Sequence, residues 1–306
     1  MIRSALILTV GIAALSFAAI FIRFCEDVPS LVIATYRMVI ASLVLLAWAP
    51  TRSSFSFRTI SRRQWFLGFL GGLFLALHFA TWITSLKFTS VASSVVLVTT
   101  NPLFVGFFSY LFFREKQPPA LLAGIALSIT GSVIMAVGDS GLTNLAITDS
   151  RALIGDGLAL LGAILASAYL MVGARLRQRT DILTTVVLVY TFSAVILLLI
   201  TLAAGLPLRG FSNSSYLYMV LLALVPQIIG HTTINWALQH LRTSMVAVVI
   251  LGEPIGASIL AYLIFRETVG TLQLVGIFLI FSAILLASRQ GKRLDPGGPP
   301  PVSDVI

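Results

Sequence analysis

The sequence predicts an all-α integral membrane protein of ten transmembrane helices, arranged as two inverted-topology repeats of five. Three observations carry that expectation. The apolar runs are too long and too many for a soluble core, the basic residues fall in short segments between them, and the second half of the chain repeats the first.

Of the 306 residues, 58% are hydrophobic and 10% charged, with a mean hydropathy of +1.01, whereas a soluble domain carries roughly 25% charged residues. The net charge of +9 would also suit a nucleic-acid surface. Yet the Lys and Arg residues sit in short loops, and no cluster of them alternates with aromatic side chains, so nucleic acid is excluded as a partner. Cys25 is the only cysteine, which rules out an internal disulfide or a thiolate cluster. His78, His231 and His240 are too scattered to resemble a ligand motif, so neither a metal nor a redox cofactor is expected. The string Gly-x-x-x-x-Gly-Lys-Ser/Thr is absent from the sequence, leaving gradients rather than nucleotide hydrolysis as the energy source.

A helix crossing a bilayer needs roughly 17 to 25 mainly apolar residues. Ten such spans fit the sequence: Ser4 to Phe24, Pro29 to Trp48, Trp65 to Leu86, Ser90 to Phe113, Pro119 to Val137, Ile154 to Arg175, Ile182 to Ala204, Tyr216 to Gln239, Thr243 to Phe265, and Thr271 to Ser288. The first begins after Met1-Ile2-Arg3 in the manner of a signal peptide, but it runs on to Phe24 without a cleavage site and is read as a retained helix. Only Lys87-Phe88-Thr89 separates the third span from the fourth, and a single helix of their joint length could not fit one bilayer, so a tight turn is required there. Pro296 to Pro301, rich in proline and glycine, predicts a disordered cytoplasmic tail over residues 291–306.

Orientation follows from the basic residues. With the N-terminus inside, the inner segments hold Arg3, Arg52, Arg58, Arg62, Arg63, Arg114, Lys116, Arg175, Arg177, Arg179, Arg242, Arg289, Lys292 and Arg293; the outer ones hold Arg23, Lys87, Arg151, Arg209 and Arg266. Fourteen against five satisfies the positive-inside rule with both termini cytoplasmic, in a cell (inner or plasma) membrane.

A shift of 152 positions lays Pro102 on Pro254, Tyr110-Leu111 on Tyr262-Leu263, Phe113-Arg114-Glu115 on Phe265-Arg266-Glu267, and Leu122, Gly124 and Ile125 on Leu274, Gly276 and Ile277. These nine identities in twenty-four positions include Pro, Arg and Glu, which shared apolar composition does not supply. The chain therefore divides into a first five-helix unit, residues 1–140, and a second, residues 150–290. Because five is odd, the second unit enters the membrane in the opposite sense, and such symmetry offers two related conformations, open to either side.

The Arg37 helix, the Asn101-Pro102 and Glu253-Pro254 helices each closing in Phe-Arg-Glu, and the Gly124-Ile125 and Gly276-Ile277 helices that follow resemble the drug/metabolite transporter superfamily, in particular its EamA branch. The resemblance covers nearly all of residues 4–290. It implies ten helices around a central cavity, alternating access, and secondary active export of small metabolites such as amino acids, with a small-molecule solute, the lipid bilayer and a proton or other coupling ion as partners.

Ionisable and polar side chains inside spans are the candidate site residues, because lipid makes them costly. Glu253, about ten residues into its span, reads either as a coupling or amine-binding carboxyl or as an acid that joins helices. Arg37, about eight residues into its own, reads as a partner of a substrate carboxylate or of Glu253, or as a structural arginine satisfying carbonyls. Asn101 is the neutral counterpart of Glu253. Pro102 and Pro254 lack an N–H and are candidate hinges. His78, Trp82, Gln227, His231, Asn235 and Trp236 lie on the third and eighth spans, with Gln227, His231 and Asn235 on one helical face. Trp82 and Trp236 have a second reading as interfacial anchors. Gly252-x-x-x-Gly256 and the Gly68, Gly71, Gly72 cluster read as close-packing surfaces. A membrane enzyme acting on lipid-linked substrates would need clustered acid, base or metal-binding residues at one face, and a scaffold would have little reason to keep charges in its spans. The pattern favours neither.

Cysteine labelling tests the orientation. Asn144→Cys should react from outside the cell and a cysteine in the Arg175 to Arg179 segment only from the cytoplasm; the opposite result would invert the topology.

Overall fold

The computed structural model describes residues 2–52, 57–113, 119–140, 142–143, 146–147, 150–178, 180–240, 250 and 252–290. The predicted tail, Arg114 to Lys116, Arg242 and Asn144 fall outside these residues. The described chain is all-helical apart from a two-residue antiparallel pairing, β1 (Leu142–Thr143) with β2 (Ala146–Ile147).

The helices are α1 (Ile2–Ser16), α2 (Ala18–Arg23), α3 (Ser30–Trp48), α4 (Arg62–Ser85), α5 (Val91–Val98), α6 (Asn101–Phe113), α7 (Pro119–Ser140), α8 (Ser150–Arg177), α9 (Ile182–Ala203), α10 (Asn213–Leu222), a π-helical run (Ala223–His231), α11 (Thr232–His240), α12 (Gly252–Phe265) and α13 (Thr271–Gln290). Seven stretches among the described residues are long and apolar enough to cross a membrane, and Gly252–Phe265 and Thr271–Ala283 add shorter apolar helices. This is a multi-pass membrane protein. About half of most spans faces inward, while Leu43, Leu199 and Phe278 stay 61%, 60% and 70% exposed, as side chains that meet lipid should.

Local chemistry sets the helix starts. Ser61 and Gln64 form a reciprocal capping box at α4, Ser90 caps α5, Asp181 caps α9 and Ser212 caps α10, each giving an orphan N–H an acceptor. The tight turn expected at Lys87 is present, since α4 ends at Ser85 and α5 begins at Val91.

Among the described residues, three predicted spans are not continuous α-helices, and the one expected over Ser4 to Phe24 is interrupted at Phe17, between α1 and α2. The one expected over Ser90 to Phe113 breaks at Thr99-Thr100, and Pro102 falls in the first turn of α6, where a missing N–H costs little. The hydroxyls of Thr99 and Thr100 donate back to the carbonyls of Val96 and Leu97, at 2.9 and 2.7 Å. The span expected over Tyr216 to Gln239 widens into the π-helical run around Pro226. A π-helical run in an otherwise α-helical span is uncommon and often marks a functional site.

The halves interlock. α1 packs on the π-helical run, α11 and α12, whereas α8, which the 152-residue shift makes its counterpart, packs on α4, α5 and α6. The equivalent helices α3 and α9 pair with each other, as do α7 and α13. α3 and α9 run antiparallel: Thr35 Oγ1 meets Thr201 Oγ1 at 2.8 Å, and Ser42 Oγ, further along α3, meets Thr191 Oγ1, earlier on α9, at 2.8 Å. The small-residue surfaces act as expected. A Cβ on Gly72 would meet Phe192 Cβ at 2.5 Å and Val189 O at 2.9 Å, and one on Gly252 would meet Ile12 Cγ2 at 2.8 Å.

The five segments assigned to one side by their few basic residues gather at one end of the bundle. Arg23 Nη2 donates to Thr89 O at 2.9 Å, Lys87 Nζ to Cys25 O at 3.0 Å, Thr89 Oγ1 to Asp156 Oδ1 at 2.8 Å, and Val91 N to Glu267 Oε1 at 2.7 Å. Arg151 lies over the Phe88 ring, 5.5 Å from its centroid. Asp27 accepts from Ser212 N at 2.7 Å and from the Ser215 hydroxyl, tying the α2–α3 loop to the start of α10. Burial pushes the Cys25 thiol up to about 12, so the native cysteine is a poor target for thiolate-directed labels.

The Ser215 hydroxyl and the Ser212 N–H hold the Asp27 carboxyl below the usual carboxylate range. A depressed carboxyl stabilises the fold above its unfolded value and loses that contribution as the pH falls through its folded value. Asp27→Ala should therefore melt below the parent at neutral pH, with the gap closing as the pH falls through the acidic range. A gap independent of pH would show that the charge at Asp27 contributes nothing.

Candidate functional site

A cavity of about 60 Å³ lies between the halves, with room for a handful of waters at about 10–15 Å³ each. α4 supplies His78 and Trp82, the α5–α6 break supplies Thr99 and Asn101, α8 supplies Tyr169 and Leu170, the π-helical run and α11 supply His231 and Ile234, and Ile250 and Glu253 close the wall beside Leu15 of α1. The irregular backbone is thus where the cavity is. A larger hollow of about 660 Å³ opens between α5, α6, α7 and α8, but Phe104, Phe107, Leu103 and Leu160 dominate its wall and suit lipid. The smaller cavity is the candidate site because it joins apolar walls to a few polar groups that could fix a ligand.

Each polar group has a definite seat. His78 Nδ1 lies 2.9 Å from Gly162 O, and the ring stacks on Trp82 at 6.0 Å between centroids, tilted by 6°. Asn235 Nδ2 donates to the Tyr169 hydroxyl at 2.6 Å and to His231 O at 2.9 Å. Ser167 Oγ donates to the backbone carbonyl of Asn101 at 2.8 Å, anchoring the start of α6 to α8. Trp82 Nε1, Asn101 Oδ1 and Asn235 Oδ1 are buried with no hydrogen-bond partner, which costs free energy unless a water or ligand supplies one.

Glu253 is partly buried at the cavity, in the first turn of α12, where the positive end of the helix dipole favours a carboxylate. The stretch before it, residues 241–249 and 251, lies outside the described residues, so its expected depth within a longer helix does too. Pro254 follows it, buried in the same first turn.

Arg37 is fully buried yet does not line the cavity. Its Nε donates to Gln227 Oε1 at 2.8 Å, and its guanidinium carbon sits 4.0 Å over the Phe79 ring and 5.9 Å from the Trp82 centroid. Nη1 and Nη2 have no hydrogen-bond partner. Glu253 is near enough to interact with it as a charge, but no hydrogen bond joins them. Phe79 also meets His231 edge-on at 5.4 Å, so the cation and the histidine share one aromatic neighbour.

Of the residues singled out in the sequence, the structure brings His78, Trp82, Asn101, His231 and Glu253 to one cavity. Gln227 and Asn235 stand behind its wall as partners of Arg37 and Tyr169. Trp82 is a buried wall residue, 3% exposed, rather than an interfacial anchor, and Trp236 packs partly buried against the core. Tyr169, Phe79 and Thr99 were missed. A tyrosine in mid-span, whose hydroxyl needs a partner in lipid, was the available signal for the first.

The comparisons with known proteins cover the same chain. The EamA-like transporter family matches residues 3–137 and again 153–289. The chain belongs to that family. An uncharacterized transporter of Archaeoglobus fulgidus is 23% identical over 289 residues, 93% of this chain and 96% of its own length. One of Clostridium kluyveri is 25% identical over 235 residues, 75% of this chain and 74% of its own. Solute carrier family 35 member G1 of Mus musculus is 24% identical over 76% of this chain and 64% of its own. A solved protein crystal structure superposes on 96% of this chain and 99% of that one with a TM-score of 0.67 at 20% identity, a shared fold. Family and relatives identify a membrane transporter of the drug/metabolite superfamily rather than an enzyme, with a small-molecule solute as its cargo.

The seat of Arg37 has a measurable consequence. Removing the guanidinium leaves Gln227 Oε1 buried without its donor, a loss of about 2 kcal/mol for a charged hydrogen bond. Arg37→Ala should lower the thermal stability of the purified protein, and adding Gln227→Leu should restore part of it, because both polar partners are then gone. An Arg37→Ala protein as stable as the parent but unable to transport would instead give Arg37 a direct contact with solute.

Proposed function

We propose that this transporter is a secondary active exporter of small metabolites such as amino acids, working by alternating access between two inverted five-helix units, residues 1–140 and 150–290. The observation that carries the reading is the polar cavity at the junction of the halves, walled by the α5–α6 break and the π-helical run. Inverted-repeat transporters bind solute at such a junction, on discontinuous helices. The exchange of α1 and α8 between the halves, and the pairing of α3 with α9 and of α7 with α13, support the inverted arrangement. The ten-helix count belongs to the same reading.

In this reading Glu253 carries the coupling proton, and Asn101, His78, Trp82 and His231 contact the solute. Gln227, Asn235 and Trp236 support that wall, while Arg37 supplies a fixed charge behind it. Pro102 and Pro254, each in the first turn of a helix at the cavity, are the hinges about which α6 and α12 tilt. Both termini lie in the cytoplasm of a cell whose inner or plasma membrane holds the protein, by the bias of Lys and Arg.

Glu253→Gln separates coupling from binding, because the amide keeps the shape and much of the hydrogen bonding but cannot carry a proton. In proteoliposomes filled with a metabolite panel, the variant should lose gradient-driven accumulation and keep some exchange. Accumulation at the parent's rate with the parent's pH profile would remove Glu253 from the mechanism.

A further inference from the structure

The cavity is asymmetric in what it offers a solute. Its acceptors are the Glu253 carboxylate and the Asn101 Oδ1, the latter on a side chain 6% exposed and without a partner. With Nδ1 of His78 turned to the Gly162 carbonyl, the other ring nitrogen of the neutral imidazole is an acceptor as well. The same wall also holds donors, namely Trp82 Nε1, the Asn101 amide, one N–H of the neutral His231 ring and the Tyr169 hydroxyl, whose oxygen accepts from Asn235. Among the described residues no Lys or Arg lines the wall, so its asymmetry is one of charge. Arg37, which interacts with Glu253 as a charge, lies outside the wall, packed on the Phe79 ring with its Nε donated to Gln227.

An ammonium group brings only donors and a positive charge, which this set of acceptors and the adjoining Trp82 and Tyr169 rings accommodate. A carboxylate brings only acceptors and a negative charge, and would meet Glu253 with no cation among the described residues of the wall to receive it. The remaining wall, with Leu15, Leu170, Ile234 and Ile250, suits a short aliphatic body. We propose that the cavity selects its solute by a primary ammonium group on a small apolar body, and that a solute's carboxylate, where present, is tolerated rather than recognised. This rests on the reading of the cavity as the solute site, and it assigns recognition to the Glu253 and Asn101 side rather than to Arg37.

A matched trio tests it on the purified full-length protein: leucine, isopentylamine, which is leucine without its carboxylate, and 4-methylpentanoate, which is leucine without its amine. Ligand-induced thermal stabilisation reports binding to the folded state. Isopentylamine should bind at least as tightly as leucine, and 4-methylpentanoate about tenfold weaker or worse. Asn101→Leu and Glu253→Gln should each weaken the amine response, two variants being used so that misfolding of one does not end the test. Stabilisation by 4-methylpentanoate equal to that by isopentylamine overturns the proposal, as does an amine response unchanged in both variants, or no response to any of the three. Counterflow of labelled leucine in proteoliposomes is read separately. Transport without amine preference sinks this inference alone, and amine binding without movement of any solute sinks the transport reading alone.

Discussion

A chain in hydrocarbon has no water to take up its backbone N–H and C=O groups, so every departure from the helical ladder must be satisfied by protein or sit at an aqueous cavity. The rest of this structure depends on that constraint. Two of the three interruptions within predicted spans, at Thr99-Thr100 and over Ala223–His231, border the wall of the central cavity, and the third, at Phe17, follows Ser16, whose hydroxyl donates to Ile12 O at 3.0 Å and Glu253 O at 3.4 Å. At the first, the Thr99 and Thr100 hydroxyls donate to the carbonyls of Val96 and Leu97, the latter also accepting from Thr100 N at 3.2 Å. At the second, the Tyr190 hydroxyl reaches Gln227 O at 3.5 Å and Thr232 Oγ1 at 3.4 Å. Polar groups that serve a ligand and polar groups that mend the backbone are therefore neighbours.

Much of this was legible in the sequence, for reasons that differ by element. Span length and apolar content are dictated by bilayer thickness, so α3, α4, α8 and α9 sit where hydropathy places them to within a few residues. The duplication was visible because Pro, Arg and Glu repeat where chance would not put them. The side of the few basic residues was visible too, and Arg23, Lys87, Arg151 and Asp156 do meet at one end of the bundle.

What stayed hidden is where backbone geometry or packing decides. Pro102 reads as a kink from sequence, since a proline removes one bond wherever it falls; only the break two residues earlier turns it into a helix start. Arg37 reads from sequence either as a solute contact or as a structural arginine, and sequence does not reveal that Phe79 and Gln227 converge on it from α4 and the π-helical run. A buried cation can be held by an aromatic face and an amide as well as by an acid, and that choice moves the charge from the solute to the scaffold.

The π-helical run also makes residue count itself part of the site. A π turn holds one residue more than the α turn it replaces, and each residue of an α-helix turns the chain by about 100°. Losing a single amino acid between Leu222 and Thr232 could relax the run to an ordinary helix of nearly the same length. The helix beyond the run would keep its register, because the turn sheds the one residue by which it exceeds an α turn, and only side chains inside the run, such as Gln227 and His231, would shift along the wall. Gain or loss of one residue in this stretch is therefore a route by which a lineage could redraw one patch of the cavity wall in a single step, with the rest of the helix left in register and no substitution at the residues that line it.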